Sequence, residues 1–220
     1  NYGHANPLLM HMLRRRLKEE SPMPDPVRAL ARFREAFQGY LLAPRGWDYA
    51  VHYAGTTAAA ALESALKIAR GATGRRKVVS FTRCDSFRSD SAALTVTWTA
   101  STGVGDTLFM PYDGSFGPDV DTMAYLERQL EACSRPEDKP AAVVVETVLG
   151  EGAIDVLSWR WLRDLESLCR RHGMLLIMDE TIVGCGRTGR FFSFESSGVQ
   201  ADMIALSRSL SGFGLPMSVL

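Results

Sequence analysis

Short apolar runs alternate with amphipathic segments along most of the chain. Apolar, partly β-branched runs bounded by turn residues predict strands at Ala50–Ala54, Lys77–Thr82, Pro140–Thr147, Met174–Glu180 and after Asp202. Apolar residues that recur at helical spacing predict helices at Thr57–Arg70, Asp119–Cys133 and Ser158–Gly173. Such alternation is typical of βαβ units, so the pattern predicts an α/β domain with a mostly parallel sheet.

Charged residues stand where several of these strands end. Glu146, Asp179 and Glu180 close two apolar runs, and Arg208 lies in a polar loop between two apolar segments. Ligands of open α/β sheets bind beyond the carboxyl ends of the strands. We therefore expect a site at this edge of the sheet, close to these side chains.

The charge balance and the cysteines narrow the classes of partner. Lys plus Arg and Asp plus Glu each number 25, so the chain lacks the basic excess of a nucleic-acid-binding protein. No apolar run approaches the roughly 20 residues that span a bilayer, and the first residues lack the pattern of a signal peptide. The cysteines form no CxxC pair or zinc-like cluster, so we expect a reduced, cytoplasmic protein without a metal: Cys84, Cys133, Cys169 and Cys185.

Three longer motifs are more specific: ETVLGEGAIDV, LLIMDETIVGCGRTGRFFSFE and LSRSLSGFGLPM. Together, and in this order, they resemble class III aminotransferases, which are pyridoxal-phosphate (PLP) enzymes of fold type I. The similarity is greatest to the members that act on diaminobutyrate and 2-oxoglutarate, and it covers nearly the whole chain. It implies the three-layer large domain of fold-type-I PLP-dependent transferases, with a mostly parallel sheet flanked by helices, and a homodimer.

The same resemblance predicts the domain layout. Residues 1–220 are expected to form a single aminotransferase-like large domain, on which an N-terminal helical segment, residues 1–45, packs. The small C-terminal domain of the family is expected to be absent, because the chain stops shortly after the loop that carries Arg208.

The family pattern places its catalytic lysine at Arg208, in LSRSLSG. A PLP transaminase needs a lysine amine to form the Schiff base and to shuttle the proton. A guanidinium stays protonated at any working pH, so Arg208 supplies neither function. We expect Arg208 to form an ion pair with Asp179 or Glu180; the alternative is an anion-binding residue of a new pocket.

The phosphate-binding turn that the resemblance implies also differs. The family has Gly, Ser/Thr and Asn at this turn, just before a helix. Here the corresponding residues are Ala58, Ala59 and Ala60, after Thr57. A helix N-terminus attracts phosphate through its free N–H groups, but alanine side chains add no donor. These four residues are therefore expected to be remnants of a cofactor-binding turn.

The contacts to the cofactor ring are changed in the same way. An aromatic–histidine pair of the family corresponds to Asp85 and Ser86, or to the next two residues in a shifted alignment. Two glutamines of the family correspond to Leu149 and Ile182. Only Asp179, the family's partner of the pyridine nitrogen, is retained.

The substitutions predict a degenerate homologue that does not transaminate and that binds no PLP or binds it weakly. Its scaffold is expected to serve as a small-molecule catalyst or binder. Its pocket is expected near Asp179, Arg208 and Asp85. One alternative is a PLP-dependent transaminase of diaminobutyrate or a related ω-amino acid, in which another lysine acts: Lys67, Lys77 or Lys139. A second alternative is a non-catalytic protein that keeps the dimer interface or binds another partner. Neither nucleic acid nor a membrane is an expected partner.

Overall fold

The computed structural model describes residues 5–18, 25–82, 106–117, 119–149, 154–212 and 215–220. Its α-helices are α1 Pro7–Lys18, α2 Pro26–Phe37, α3 Ala58–Thr73, α4 Thr122–Glu131 and α5 Trp159–His172. Its strands are β1 Tyr53–Gly55, β2 Val78–Thr82, β3 Thr107–Pro111, β4 Ala142–Val145, β5 Val148–Leu149, β6 Asp155–Val156, β7 Leu175–Asp179, β8 Met203–Ala205 and β9 Ser218–Val219.

Five parallel strands form the centre of the domain, in the order β3-β2-β4-β7-β8. The antiparallel pair of β1 and β9 continues this sheet, because Leu206, directly after β8, forms a bridge with Val219. The predicted α/β fold with a mostly parallel sheet is therefore confirmed. We call the edge where the parallel strands end the carboxyl edge, and the opposite one the amino edge.

Helices cover both faces of the sheet and produce the predicted three layers. The face under α3 is formed by small and branched residues, and Ala65 of that helix packs with Val144 and Ile177. On the other face, Leu165 of α5 belongs to a larger core that contains the alternate strand residue Val143. Strand β4 is buried along its whole length, which explains why its sequence is continuously apolar rather than alternating.

Capping residues set the ends of the helices. Thr57, Asp121 and Ser158 precede α3, α4 and α5, and each side chain accepts a backbone N–H of the first turn. Helices α3 and α5 end at Gly74 and Gly173, whose φ angles of 69° and 62° lie in the left-handed region that favours glycine. The helix predicted at Ser158–Gly173 is confirmed, with those two residues as its caps.

Two arginines link the helix and strand ends at the amino edge by hydrogen bonds. Nη1 of Arg75 donates to the carbonyl oxygens of Pro140 (3.1 Å), His172 (3.0 Å) and Gly173 (2.9 Å), so it joins the end of α5 to the start of β4. Nη1 of Arg170 donates to both carboxylate oxygens of Asp202, at 2.7 and 2.8 Å. Asp202 also accepts the N–H of Leu176 at 2.7 Å, which ties α5, β7 and the start of β8 together.

The two N-terminal helices differ in how they join the domain. Helix α2 buries Phe37, and Leu42, five residues later, lies in the same core. Helix α1 has no buried residue, and its Leu8, Met12 and Leu17 side chains are exposed. Within the described ranges, every helix is too short or too polar to cross a membrane.

Candidate functional site

The carboxyl edge brings Asp179 and the loop of Arg208 together. Asp179 is the last residue of β7 and pairs with Ala205, the last residue of β8. Arg208 follows three residues later and opens a short 3-10 turn that ends at Ser211. Parallel pairing of the two strands therefore places both predicted site residues at one position along the edge, as the order of strands and loops indicated.

Thr181, two residues further along the chain, orients the side chain of Asp179 by hydrogen bonds. Its Oδ1 accepts the N–H of Thr181 at 3.0 Å and the hydroxyl of Thr181 at 2.6 Å. Burial raises the pKa of Asp179, and the two hydrogen bonds from Thr181 and the charge of Arg208 oppose this rise. The carboxyl group therefore lies within electrostatic reach of Arg208, but the partner that orients it is Thr181.

Arg208 does not form the predicted ion pair. Its side chain is exposed, and the ion pairs among the described residues include neither Arg208 with Asp179 nor Arg208 with Glu180. The backbone of Arg208 has a φ of 50°, in the left-handed region that is uncommon for a residue other than glycine. Glu180 is unavailable to it because that carboxylate is buried and hydrogen-bonded elsewhere. The predicted ion pair was therefore wrong, and Arg208 acts on Asp179 only through its charge.

Thr57 caps the N-terminus of α3. Oγ1 of Thr57 accepts the N–H of Ala60 at 3.1 Å, and the carbonyl oxygen of Thr57 accepts the same N–H at 3.1 Å. The side chains of Ala58, Ala59 and Ala60 are methyl groups and donate no hydrogen bond. An anion at this helix end would therefore meet fewer free donors than a turn of Gly, Ser/Thr and Asn offers.

The two positions where the family has glutamine are apolar. Leu149 ends β5 and packs against the larger core. Ile182 is partly buried in the turn after β7. Asp85 and Ser86 lie outside the described residues, so the pocket expected near Asp85 and the correspondence of both residues with the family's aromatic–histidine pair stay predictions.

Every lysine of the chain lies away from this site. Lysine occurs only at positions 18, 67, 77 and 139. Lys77 and Lys139 precede β2 and β4, which puts them at the amino edge, and Lys139 contacts Nδ1 of His172 at 3.2 Å. Lys67 is exposed in the second half of α3, which runs away from the carboxyl edge, and Lys18 is exposed at the end of α1. Within the described part of the chain, no primary amine reaches Asp179.

Three hydroxyl residues of this edge were missed from the sequence. Thr181 holds Asp179, while Ser193 and Thr147 form a buried chain that ends on Glu180. The only signal for Thr181 was its spacing, because a hydroxyl two residues after an aspartate is well placed for a local hydrogen bond. Ser193 stands among phenylalanines in RFFSF, and this apolar segment gave no sign of a polar role.

Comparisons with known sequences agree with the architecture. The family described as Aminotransferase class-III matches residues 1–220. A diaminobutyrate–2-oxoglutarate transaminase of Bordetella parapertussis is 50% identical over 228 residues, which cover 100% of this chain and 52% of that protein. The protein of the same name from Vibrio cholerae is 42% identical over 230 residues and is covered to 55%. The chain thus spans about half the length of the curated relatives it matches.

Solved structures of transaminases also superpose on this chain. An S-selective transaminase from Bacillus megaterium superposes with a TM-score of 0.80 at 25% identity, over 100% of this chain and 53% of that one. A taurine:2-oxoglutarate aminotransferase from Bifidobacterium kashiwanohense, solved with PLP and glutamate, has the same fold, with a TM-score of 0.77 at 20% identity over 100% of this chain and 52% of that one. The fold is therefore that of the fold-type-I transaminases. The chain belongs to the class III aminotransferase family.

Proposed function

We propose that this chain is a class III aminotransferase homologue that does not transaminate through a lysine-bound PLP. The observation that carries the proposal is Arg208, at the family's lysine position on the carboxyl edge, in a chain whose lysines all lie elsewhere. The capped N-terminus of α3 with its three alanines supports it, as do the apolar side chains of Leu149 and Ile182. These residues do not fit PLP, so no catalytic step is assigned to that cofactor.

The proposal assigns the carboxyl edge to a different small molecule, as a binder or a catalyst. Arg208 is exposed and has a guanidinium that can bind an oxyanion with two N–H groups. Asp179 beside it keeps Oδ2 available, because the hydrogen bonds from Thr181 both go to Oδ1. The free thiols of Cys133, Cys169 and Cys185 support a reducing, cytoplasmic setting for this function.

The wild-type chain is expected to gain no mass from PLP. Purified protein is incubated with excess PLP, reduced with borohydride and analysed by mass spectrometry and peptide mapping. A phosphopyridoxyl group on any lysine would overturn the proposal, and it would support the alternative function of a diaminobutyrate or ω-amino acid transaminase. A known class III transaminase, treated in parallel, shows that the reduction traps the adduct.

Self-association as a homodimer is the second candidate function. The observation that favours it is helix α1, which buries no residue and leaves Leu8 and Met12 66% and 58% exposed. An amphipathic helix with an unpaired apolar side is stabilised when another protein surface covers it.

A Leu8→Glu/Met12→Glu variant is expected to shift a dimer of this chain to monomer in light scattering, because two buried carboxylates oppose association. Ile154→Glu, at an apolar side chain that is 77% exposed outside α1, is the matched control and should leave the mass unchanged. A wild-type chain that is monomeric at all concentrations would reject this candidate.

A further inference from the structure

Glu180 connects three segments beneath the carboxyl edge. The residue directly follows β7 and is only 1% exposed. Its Oε2 accepts the backbone N–H of Ser193 at 2.9 Å, and its Oε1 accepts the hydroxyl of Ser193. The hydroxyl of Ser193 is also hydrogen-bonded to that of Thr147, two residues after β4. A continuous hydrogen-bond chain therefore runs from the end of β7 through Ser193 to the end of β4.

The hydrogens of this hydrogen-bond chain have two arrangements. When Glu180 is ionised, it accepts from Ser193, and Ser193 in turn accepts from Thr147. When Glu180 is protonated, it can donate to Ser193, and Ser193 then donates to Thr147. Either hydroxyl can be the donor in the contact between Ser193 and Thr147. Both arrangements keep the two contacts paired, which matters because all three side chains are buried.

We propose that Glu180, Ser193 and Thr147 form a pH-sensitive hydrogen-bond switch, in which proton uptake by Glu180 reverses both hydrogen bonds and couples the end of β7 to the end of β4. One proton is added to a carboxylate oxygen of Glu180. The hydroxyl groups of Ser193 and Thr147 rotate and keep their own protons, so no other group gains or loses one. The switch does not depend on the proposed function, because it involves none of the residues assigned to the ligand.

The surroundings of Glu180 place its pKa near neutral pH. Burial raises the pKa of Glu180 to about 7, and the hydrogen bonds from Ser193 and from the backbone of Phe194 limit the rise. Among the described residues, the titratable groups that act on Glu180 are Asp179, whose charge raises this pKa further, and the Cys185 thiol in the following turn. Burial of Cys185 raises the pKa of its thiol to about 11, so the thiol stays neutral while Glu180 titrates.

Glu180 is expected to make the protein less stable as pH rises. Its pKa is higher in the folded chain than the ordinary value of 4.5, so the folded state binds the proton more tightly. The stabilisation is fully present below pH 4.5, declines as pH rises to about 7, and is absent above that. A Glu180→Gln variant, whose amide can donate to Ser193 at every pH, should lack this decline. The difference in melting temperature between wild type and variant, measured across this range, tests the expectation.

Two further variants distinguish a switch from a rigid polar cluster. Thr147→Val removes the Thr147 contact from both arrangements. When Glu180 is protonated the loss leaves the Ser193 hydroxyl as a buried donor without an acceptor, whereas when Glu180 is ionised Ser193 still donates to the carboxylate, so the midpoint of the Glu180 titration should move to lower pH. Ser193→Ala removes a donor to the ionised carboxylate, where hydrogen bonds are strongest, so the midpoint should move to higher pH. Shifts of about one pH unit correspond to the loss of one such bond.

The midpoint is followed by the infrared band of the protonated carboxyl group that Glu180→Gln removes. Ser197→Ala is the control, because the Ser197 hydroxyl is also buried but is not part of the hydrogen-bond chain of Glu180, Ser193 and Thr147. It donates to the Phe194 carbonyl at 2.7 Å. Its midpoint should equal that of the wild type. Opposite shifts in the Thr147 and Ser193 variants support the switch. An unchanged midpoint in Thr147→Val, or a wild-type midpoint in the ordinary carboxyl range, overturns it, and the Thr147 variant decides alone if Ser193→Ala does not fold.

Discussion

An Arg208→Lys variant is expected to form a covalent adduct with PLP that borohydride traps, whereas the wild-type chain forms none. The change places a primary amine three residues beyond the strand residue that pairs with Asp179. Restoring the turn with Ala58→Gly, Ala59→Thr and Ala60→Asn should then strengthen binding at least about fivefold, because two or three added hydrogen bonds each contribute about 0.5–1.5 kcal/mol. Fluorescence titration with PLP and peptide mapping after reduction measure both effects.

The matched control for this gain is Arg208→Gln, which removes the guanidinium without adding an amine. It should trap no PLP, so that capture by Arg208→Lys is assigned to the new amine and not to loss of the positive charge. Capture at position 67, 77 or 139 in the lysine variant would mean that the carboxyl edge does not direct the reaction. If the four-residue variant binds no more tightly than Arg208→Lys, then the alanines of the turn are not what weakens the site.

Gly184→Ala is expected to lower the free energy of unfolding by about 3 kcal/mol, at the upper end of overpacking effects. A Cβ at this position would lie 2.6 Å from the Glu180 carbonyl oxygen and 2.8 Å from Cδ2 of Leu206. The carbonyl oxygen cannot move away easily, because it accepts the N–H of Gly184 at 3.0 Å within the same turn. Urea denaturation measures the change.

Gly71→Ala is expected to raise the free energy of unfolding in the same assay. Gly71 lies inside α3, and an added Cβ there meets no atom within 4 Å. The substitution should stabilise the protein by about 0.5–1 kcal/mol, because glycine is less favourable than alanine inside a helix. If both alanine variants have wild-type stability, the turn after β7 accommodates a side chain and its tight packing does not constrain the site.

The fold was predictable because local and global signals agree in this chain. Strands β4 and β7 are apolar on both faces, and α3 and α5 carry their caps and terminal glycines next to clear helical stripes. The short pairs β5–β6 and β1–β9 were not predicted in this form, since two- and three-residue strands leave no periodic signal.

The site was predictable in position but only partly in its contacts. The ends of the strands placed Asp179 and Arg208 at one edge, since parallel pairing requires it. The expected ion pair failed because the direction of a side chain depends on the backbone, and Arg208 has a left-handed backbone conformation and an exposed side chain. The links from Thr181 to Asp179 and from Ser193 to Glu180 depend on turn geometry and on segments distant in sequence.

The hydrogen bonds of Arg75 and Arg170 stabilise the domain at the amino edge, whereas the candidate site lies at the carboxyl edge. The contacts of these arginines hold α5 and the starts of β4, β7 and β8 at the end of the sheet opposite Asp179 and Arg208. Substitutions at Asp179 and Arg208 therefore do not touch these contacts. A domain arranged in this way can accumulate changes at Asp179 and Arg208 in steps that each leave a folded protein, because the starts of its strands are held at the opposite end of the sheet.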